Sequence, residues 1–377
     1  MTFLFYVPQM AAYGGMERHV CLLAHLLAGC DHAVTMLTTS NSLNDTDRTE
    51  LLRSGVELRE MPAARGSASN WMKFAWLCLN VIRLRARSWD VIYSNGQSGL
   101  ARTTWLARGR ETRIAHHHHT AGDAEEQKTW HPAFLRTLAA APELVACSET
   151  TKRHLETALR RQDAVFLPYL TSEIISTSNV TEKSYSSDAT LDFGFAGRLT
   201  STKGIERICA LSQEPMLRGI RWHIHGRGKE YPASFFYSYS NVKYHGPYNG
   251  ATGCADVIQS LDALALFSTH NEGMPLSIIE AMAGGLPWIA TDQGGTHELA
   301  IAVENAEIVP ARASFEEIRH SLLKLTDRMR TGKTSRIVQR RVYDNNFSPR
   351  IVAERWLEFF GCPRSRLVRV HPKSAMS

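Results

Sequence analysis

The feature that most constrains this chain is a repeated alternation of short β-rich apolar runs with stretches of helical periodicity, in two series. The first series runs TFLFYV, MERHVCLLAHLLA, HAVTMLTT, VELREM, a long helical stretch around 71–87, DVIYSN, TRIAHH and ELVACS. Val20, Leu23 and Leu27 recur at helical spacing, as one buried helix face requires. The second series runs LDFGFAG, a helix over 203–213, IRWHIHG, NVKYHGP, a helix over 251–260, DALALFS, a helix over 276–284, LPWIAT and AEIVP. Strand–helix alternation implies mostly parallel sheets with helices on both faces. Between the series, residues 171–190 are rich in Ser and Thr and poor in large apolar groups, which predicts a linker. A chain of 377 residues is also too long for one ordinary core. The expected organisation is an N-terminal domain over 1–170, the linker, and a second domain over 191–345. A helix over 346–361 is expected to pack back on the first domain, ahead of a basic tail over 362–377.

Two doubly wound halves place a ligand at the carboxyl ends of their strands, and the second half supplies candidate residues there. In FAGRLTSTKG, a strand ends at a glycine turn that presents Arg198 and Lys203 just before a helix. Fixed cations beside a helix N-terminus favour an anion. In isolation the fragment is equally a strand–turn–helix connection with solvated cations. The segment THNEGMPLSIIEAMAGGLPWIAT sets Glu272 and Glu280 eight residues apart, with Gly273 and Pro275 between them. A helix starting near Leu276 would aim its first N–H groups at a phosphate. Glu280 would sit one turn in, able to accept two vicinal hydroxyls, and Glu272 in the preceding loop.

Together these residues resemble the retaining GT-B glycosyltransferases of family 4, the glycosyl transferases group 1, of the bacterial polysaccharide and lipopolysaccharide assembly type. Three motifs carry the resemblance: Gly197-Arg198-Leu199 with Lys203-Gly204, Glu272 with Glu280-Ala281-Met282-Ala283, and Asp292 with Gly294-Gly295 and Glu298. In the N-terminal half, Gly14-Gly15-Met16-Glu17-Arg18-His19 resembles the family's first glycine loop, and RIAHHHHT its strand ending in histidines. The resemblance implies a GT-B fold, two Rossmann-like domains facing across a cleft. It also implies transfer of a sugar from a nucleoside diphosphate sugar with retention of configuration.

Site roles follow from the resemblance alone. It assigns the donor diphosphate to Arg198 and Lys203, the ribose to Glu280, and the sugar and phosphates to Glu272 and the backbone of Gly273, Met274, Pro275, Leu276 and Ser277. Gly14, Gly15 and Gly197 would admit the donor closely, and Gly226 and Tyr248 would border the nucleobase. His118 would face the reacting sugar, with His119 as the other choice. No carboxylate stands out as a covalent nucleophile, in keeping with a front-face reaction in which the leaving phosphate assists the acceptor. That scheme uses no cofactor and no metal. The segment around Glu-Gly-Met-Pro favours a UDP-sugar over a GDP-sugar. Two departures from the pattern are Tyr169-Leu170 where Asn-Gly is usual, and HIHGRGKE where G-x-G-P with an acid is usual.

Composition narrows the partners. Net charge is +6, and the stretch from Trp71 to Ile114 holds eight Lys/Arg against two acids, interleaved with Trp71, Phe74, Trp76, Trp89 and Trp105. Such a stretch suits an anionic membrane surface, or is a helix solvated by arginines with tryptophans in a core. Nothing accompanies it that marks nucleic-acid recognition. The acceptor implied is lipid-linked or saccharide, and the location cytoplasmic and peripheral at the inner face of the plasma membrane. The run Phe74–Val81 is far short of the ~20 residues that span a bilayer. Seven scattered cysteines read as reduced core residues. Four adjacent histidines, His116–His119, alternate faces on a strand and make a poor metal site by themselves. A nicotinamide dehydrogenase would need a third glycine after Gly226 and Gly228, where Tyr231 stands instead. A GT-B epimerase or phosphorylase, or a silent partner subunit, would share the fold without transfer.

Overall fold

The computed structural model describes residues 1–10, 14–63, 67–97, 99–248, 250–269 and 272–362. The chain divides into two compact units, one made of Met1–Leu170 with Val352 onward, the other of Thr171–Ile351. The basic tail beyond residue 362 lies outside the described residues.

The first unit is built on seven strands: β1 (Thr2–Tyr6), β2 (Ala33–Thr39), β3 (Glu57–Met61), β4 (Val91–Asn95), β5 (Arg113–His118), β6 (Glu143–Ala146) and β7 (Val165–Phe166). They pair in the order β3-β2-β1-β4-β5-β6-β7, all parallel. Parallel strands are covered on both faces, so β1 is apolar along its length. Phe3 and Phe5 enter one core with Val20, Leu23 and Leu27. Leu4 and Tyr6 enter the other with Leu77, Trp105 and Phe134. The helix Pro349–Phe360 closes the first core with Val352, Trp356, Leu357 and Phe360. Trp356 donates its indole N–H to the Pro168 carbonyl at 2.9 Å, so this large ring is buried without orphaning its polar atom.

The second unit carries six parallel strands: β8 (Leu191–Arg198), β9 (Ile220–Arg227), β10 (Val242–Gly246), β11 (Ala263–Leu266), β12 (Trp288–Thr291) and β13 (Ala306–Val309). Their order is β10-β9-β8-β11-β12-β13. In each sheet the order reverses beside the first strand, between β1 and β4 and between β8 and β11. Such switch points are where doubly wound sheets bind ligands. Residues 171–190 form no β-strand or α-helix, yet they are bound down to the second unit. Buried Arg340 donates to the Ile175 carbonyl at 2.6 Å, the Ala283 carbonyl at 2.7 Å and Thr177 Oγ1 at 2.8 Å. Glu182 accepts from the Arg336 backbone at 2.9 Å. Short polar residues therefore serve here as anchoring points rather than as slack.

Candidate active site

β8 and β9 end in register, Gly197 beside Gly226 and Arg198 beside Arg227. After Arg198 the chain makes a tight turn, Ser201–Lys203, and enters the helix Ile205–Leu211. Gly204 joins them at φ +74°, and a Cβ there would stand 2.2 Å from the Phe267 carbonyl oxygen. Only glycine fits such a left-handed, close-packed corner. The turn thus rests directly on the end of β11, and the Thr269 amide donates to the Thr202 carbonyl at 2.8 Å across the same seam.

This contact brings two sequence-predicted residues together. Lys203 Nζ pairs with Glu272 Oε1, and Ser268 Oγ donates to the same carboxylate at 2.6 Å. Glu272 is 9% exposed, so its position is set by these partners rather than by solvent. Arg198 is exposed at the strand end, and its side chain has no hydrogen bond or ion pair among the described residues. Neither Ser268 nor Glu230 stands out in the sequence. The Glu230 carboxylate accepts the Ser201 amide at 2.7 Å, and that bond holds its pKa below the usual range.

Beyond Glu272 the chain is pinned by the second glycine motif. The Gly295 amide donates to the Gly273 carbonyl at 2.9 Å. Met274 is buried, and Pro275 in extended conformation opens the helix Leu276–Ala283 without a side-chain cap. The first N–H groups of this helix, at Leu276 and Ser277, have no intrahelical acceptor and carry the positive end of the helix dipole. Glu280 lies one turn into this helix and is buried, 7% exposed.

At the strand ends, Tyr244 donates its hydroxyl to the Gly226 carbonyl at 3.0 Å. Gly226 has φ +141°, and a Cβ would lie 1.8 Å from the Gly197 carbonyl oxygen. Half-buried Tyr248 packs over Gly253 in the helix Gly250–Ser260.

The remaining predicted residues belong to the first unit. Gly14 precedes the helix Gly15–Gly29, and the Glu17 carboxylate folds back so far that a Cβ on Gly14 would meet it at 1.7 Å. An acid of the chain itself therefore sits over this glycine loop. Along β5 and just past its end the histidines alternate. His116 and His118 lie against Phe134, whereas His117 and His119 lie against Tyr169. His118 is 2% exposed, stacks on Phe134 with centroids 5.9 Å apart, and is bonded to Thr120 at 3.0 Å. Its Nε2 also lies 3.5 Å from Glu126. Burial pushes the Glu126 carboxyl up, but bonds from His118, Thr120 and Gly122 outweigh it and hold the group at about 2. His118 is thus an engaged residue. His119 is the one that keeps both ring nitrogens unpaired among the described residues. Tyr169, the departure noted above, stacks on His119 and donates to its carbonyl at 2.9 Å.

Residues 190–328 match the family model for glycosyl transferases group 1, and residues 14–169 match that for the glycosyl transferase 4-like domain. No curated protein matches by sequence. Among solved structures, Anabaena HepE in complex with UDP and glucose aligns with a TM-score of 0.71 at 17% identity, over 96% of this chain and 99% of that one. The sucrose-phosphate synthase of Thermosynechococcus elongatus gives 0.74 at 17% identity, over 96% and 98%. The lipopolysaccharide outer core galactosyltransferase WaaB, in its apo form, gives 0.72 at 17% identity, over 96% and 99%. At these identities the structures speak for the fold, and the two family models, one for each half, speak for the activity. The chain belongs to the glycosyltransferases of GT-B fold.

Proposed function

We propose that this enzyme transfers a sugar from a nucleoside diphosphate sugar, preferentially a UDP-sugar, to a lipid-linked or saccharide acceptor with retention of configuration. The observation that carries the reading is the Lys203–Glu272 pair at the β8/β11 switch point, next to Arg198 and the open start of the helix Leu276–Ala283. As the glycosidic bond to the donor phosphate breaks, charge grows on the leaving diphosphate. Arg198, Lys203 and the amides of Leu276 and Ser277 neutralise it more strongly then than in the ground state. Glu272 accepts from sugar hydroxyls and Glu280 from the ribose. The acceptor oxygen attacks the anomeric carbon on the face the leaving group departs from, and its proton passes to the leaving phosphate oxygen. No carboxylate nucleophile is needed for that step, and the chain supplies positioning and charge. HepE, crystallised with UDP and glucose, supports the choice of UDP.

The same reading places the enzyme at an anionic membrane surface, in cell-surface polysaccharide assembly. Among the described residues no helix is long and apolar enough to cross a membrane. The helix Ser67–Arg85, however, turns Trp71, Met72, Leu79 and Ile82 outward, Leu79 at 78% and Ile82 at 76% exposure. Arg83 and Arg85 lie exposed beside them. An apolar stripe rimmed by cations is what an interfacial helix presents to anionic lipid. WaaB acts in the lipopolysaccharide outer core, which supports a surface-glycan acceptor.

A panel of UDP- and GDP-sugars, scored by thermal shift and then by turnover with saccharide and lipid-linked acceptors, tests the reading. A UDP-sugar should be chosen, and proton NMR of the product should show the donor's anomeric configuration. Inversion, or isomerisation of the donor in place of transfer, would overturn it.

A further inference from the structure

The outer edge of the second sheet gathers three histidines that the donor site does not use. His223 and His225 are two apart on β9 and so share a face of the sheet. His245 joins them from β10, the edge strand, at the bulge between the pairings of Tyr244 and Gly246. One ring nitrogen from each lies within 4.8 Å of the other two.

Their hydrogen bonds turn ring nitrogens toward one another. His223 Nε2 lies 2.8 Å from Asp192 Oδ1, and Arg221 clasps the same carboxylate at 2.6 and 2.8 Å. A carboxylate paired with arginine can only accept, so the His223 proton is fixed on Nε2 and the Nδ1 lone pair points inward. That Nδ1 accepts from His245 Nε2–H at 2.9 Å, a proton that a bound ion would displace. His225 is 7% exposed, and its Nε2 is buried with no hydrogen-bond partner. The His245 ring lies flat on the His225 ring, with centroids 4.3 Å apart. Stacked imidazoles with an orphaned nitrogen are a poor way to fill a sheet edge, since the unmade bond costs about 1–3 kcal/mol.

An acid that holds a histidine's outer N–H and turns the other nitrogen inward is how metal-ligating histidines are oriented. We propose that His223, His225 and His245 form a binding site for a divalent transition-metal ion of the zinc class, with Asp192 as the residue that orients His223. Three imidazoles suit such an ion, and the exposed side of His245 leaves a fourth position to water. With metal–nitrogen distances of about 2.0–2.1 Å, tetrahedral ligands sit roughly 3.3 Å apart. His223 and His245 are already near that separation, and exposed His245 closes the set by swinging off the His225 ring. None of the three histidines is among the residues assigned to the donor diphosphate, sugar or ribose.

The test uses the full-length chain, stripped with chelator, desalted and titrated with Co2+, followed by displacement with Zn2+. One equivalent of cobalt should bind with the visible absorption of a tetrahedral site, and zinc should displace it. His245→Gln, at an exposed edge that leaves the fold intact, and His225→Gln should each weaken binding by at least about 10-fold, and Asp192→Asn by about 10-fold or more. Far-UV circular dichroism confirms that the variants are folded. Absence of stoichiometric binding to the wild-type chain would overturn the proposal. Undiminished binding to folded His245→Gln would overturn it equally, by placing the ion elsewhere.

Discussion

Lys203 and Glu272, 69 residues apart in the chain, meet in an ion pair at the junction of β8 and β11. Each holds the other in a fixed orientation, and Ser268 holds the carboxylate from behind at 2.6 Å. A cation held this way stands ready for an anion without reorganising during the reaction. Lys203→Ala should lower turnover by more than about 100-fold while the circular dichroism spectrum is unchanged. Activity within a few-fold of the wild type would remove Lys203 from the phosphate role.

The glycine corners make a second prediction. Gly226→Ala places a Cβ 1.8 Å from the Gly197 carbonyl oxygen at φ +141°. Gly332 also has positive φ, +69°, but a Cβ there meets nothing within 4 Å. Gly332→Ala should therefore cost about 1–2 kcal/mol of conformational strain. Gly226→Ala should cost that plus displacement of the β8 and β9 ends. Urea unfolding of both variants checks the order, and equal losses would show that the close approach is relaxed freely.

Much of this arrangement is legible in the sequence, for a physical reason. Strands buried on both faces must be apolar throughout, so β1, β8 and β11 announce themselves, and the turn and helix starts after them carry glycines, cations and Pro275. What is not legible depends on which strands lie side by side. Ser268 reads as a strand-end serine until β11 is set beside β8. His245 lies 20 residues beyond His225, and only the parallel β9–β10 pairing joins them. The H-x-H pattern in a strand, followed by a histidine in the next strand, is the signal that could have found them. The four histidines at and just past the end of β5 drew attention instead, yet alternation splits them between two cores. The burial of His118 against Phe134 likewise depends on a helix that the strand pattern does not locate.

Those buried histidines govern the response to acid. Burial takes water from the rings of His19 and His116 and lowers their pKa values to about 3. Burial, together with neighbouring histidines, holds His117 and His119 well below the ordinary value. All four stay neutral when folded but accept protons near pH 6.5 once unfolded. The unfolded state then binds more protons at low pH, so stability is full above about pH 6.5 and falls as pH drops toward the folded values. The slope should approach roughly 1.4 kcal/mol per pH unit for each such histidine. Urea midpoints measured from pH 7 to pH 5 should fall steadily, and a flat profile would contradict the burial of these rings in their neutral form.

The outward stripe on Ser67–Arg85 predicts lipid selectivity. Liposomes containing anionic lipid should bind the protein and neutral liposomes should not, with binding reduced by salt. Replacing Leu79 and Ile82 by glutamate should abolish binding without loss of stability, because both side chains are more than three-quarters exposed. Equal binding to neutral and anionic vesicles would remove the membrane role.

The most direct test of the donor site is calorimetric titration of UDP into the wild-type enzyme and into Arg198→Ala, Lys203→Ala and Glu280→Gln variants. The wild type should bind one UDP, and each variant should bind at least about 10-fold more weakly, the loss of one charged hydrogen bond. Undiminished affinity in all three would mean that the nucleotide is held elsewhere and would contradict the account.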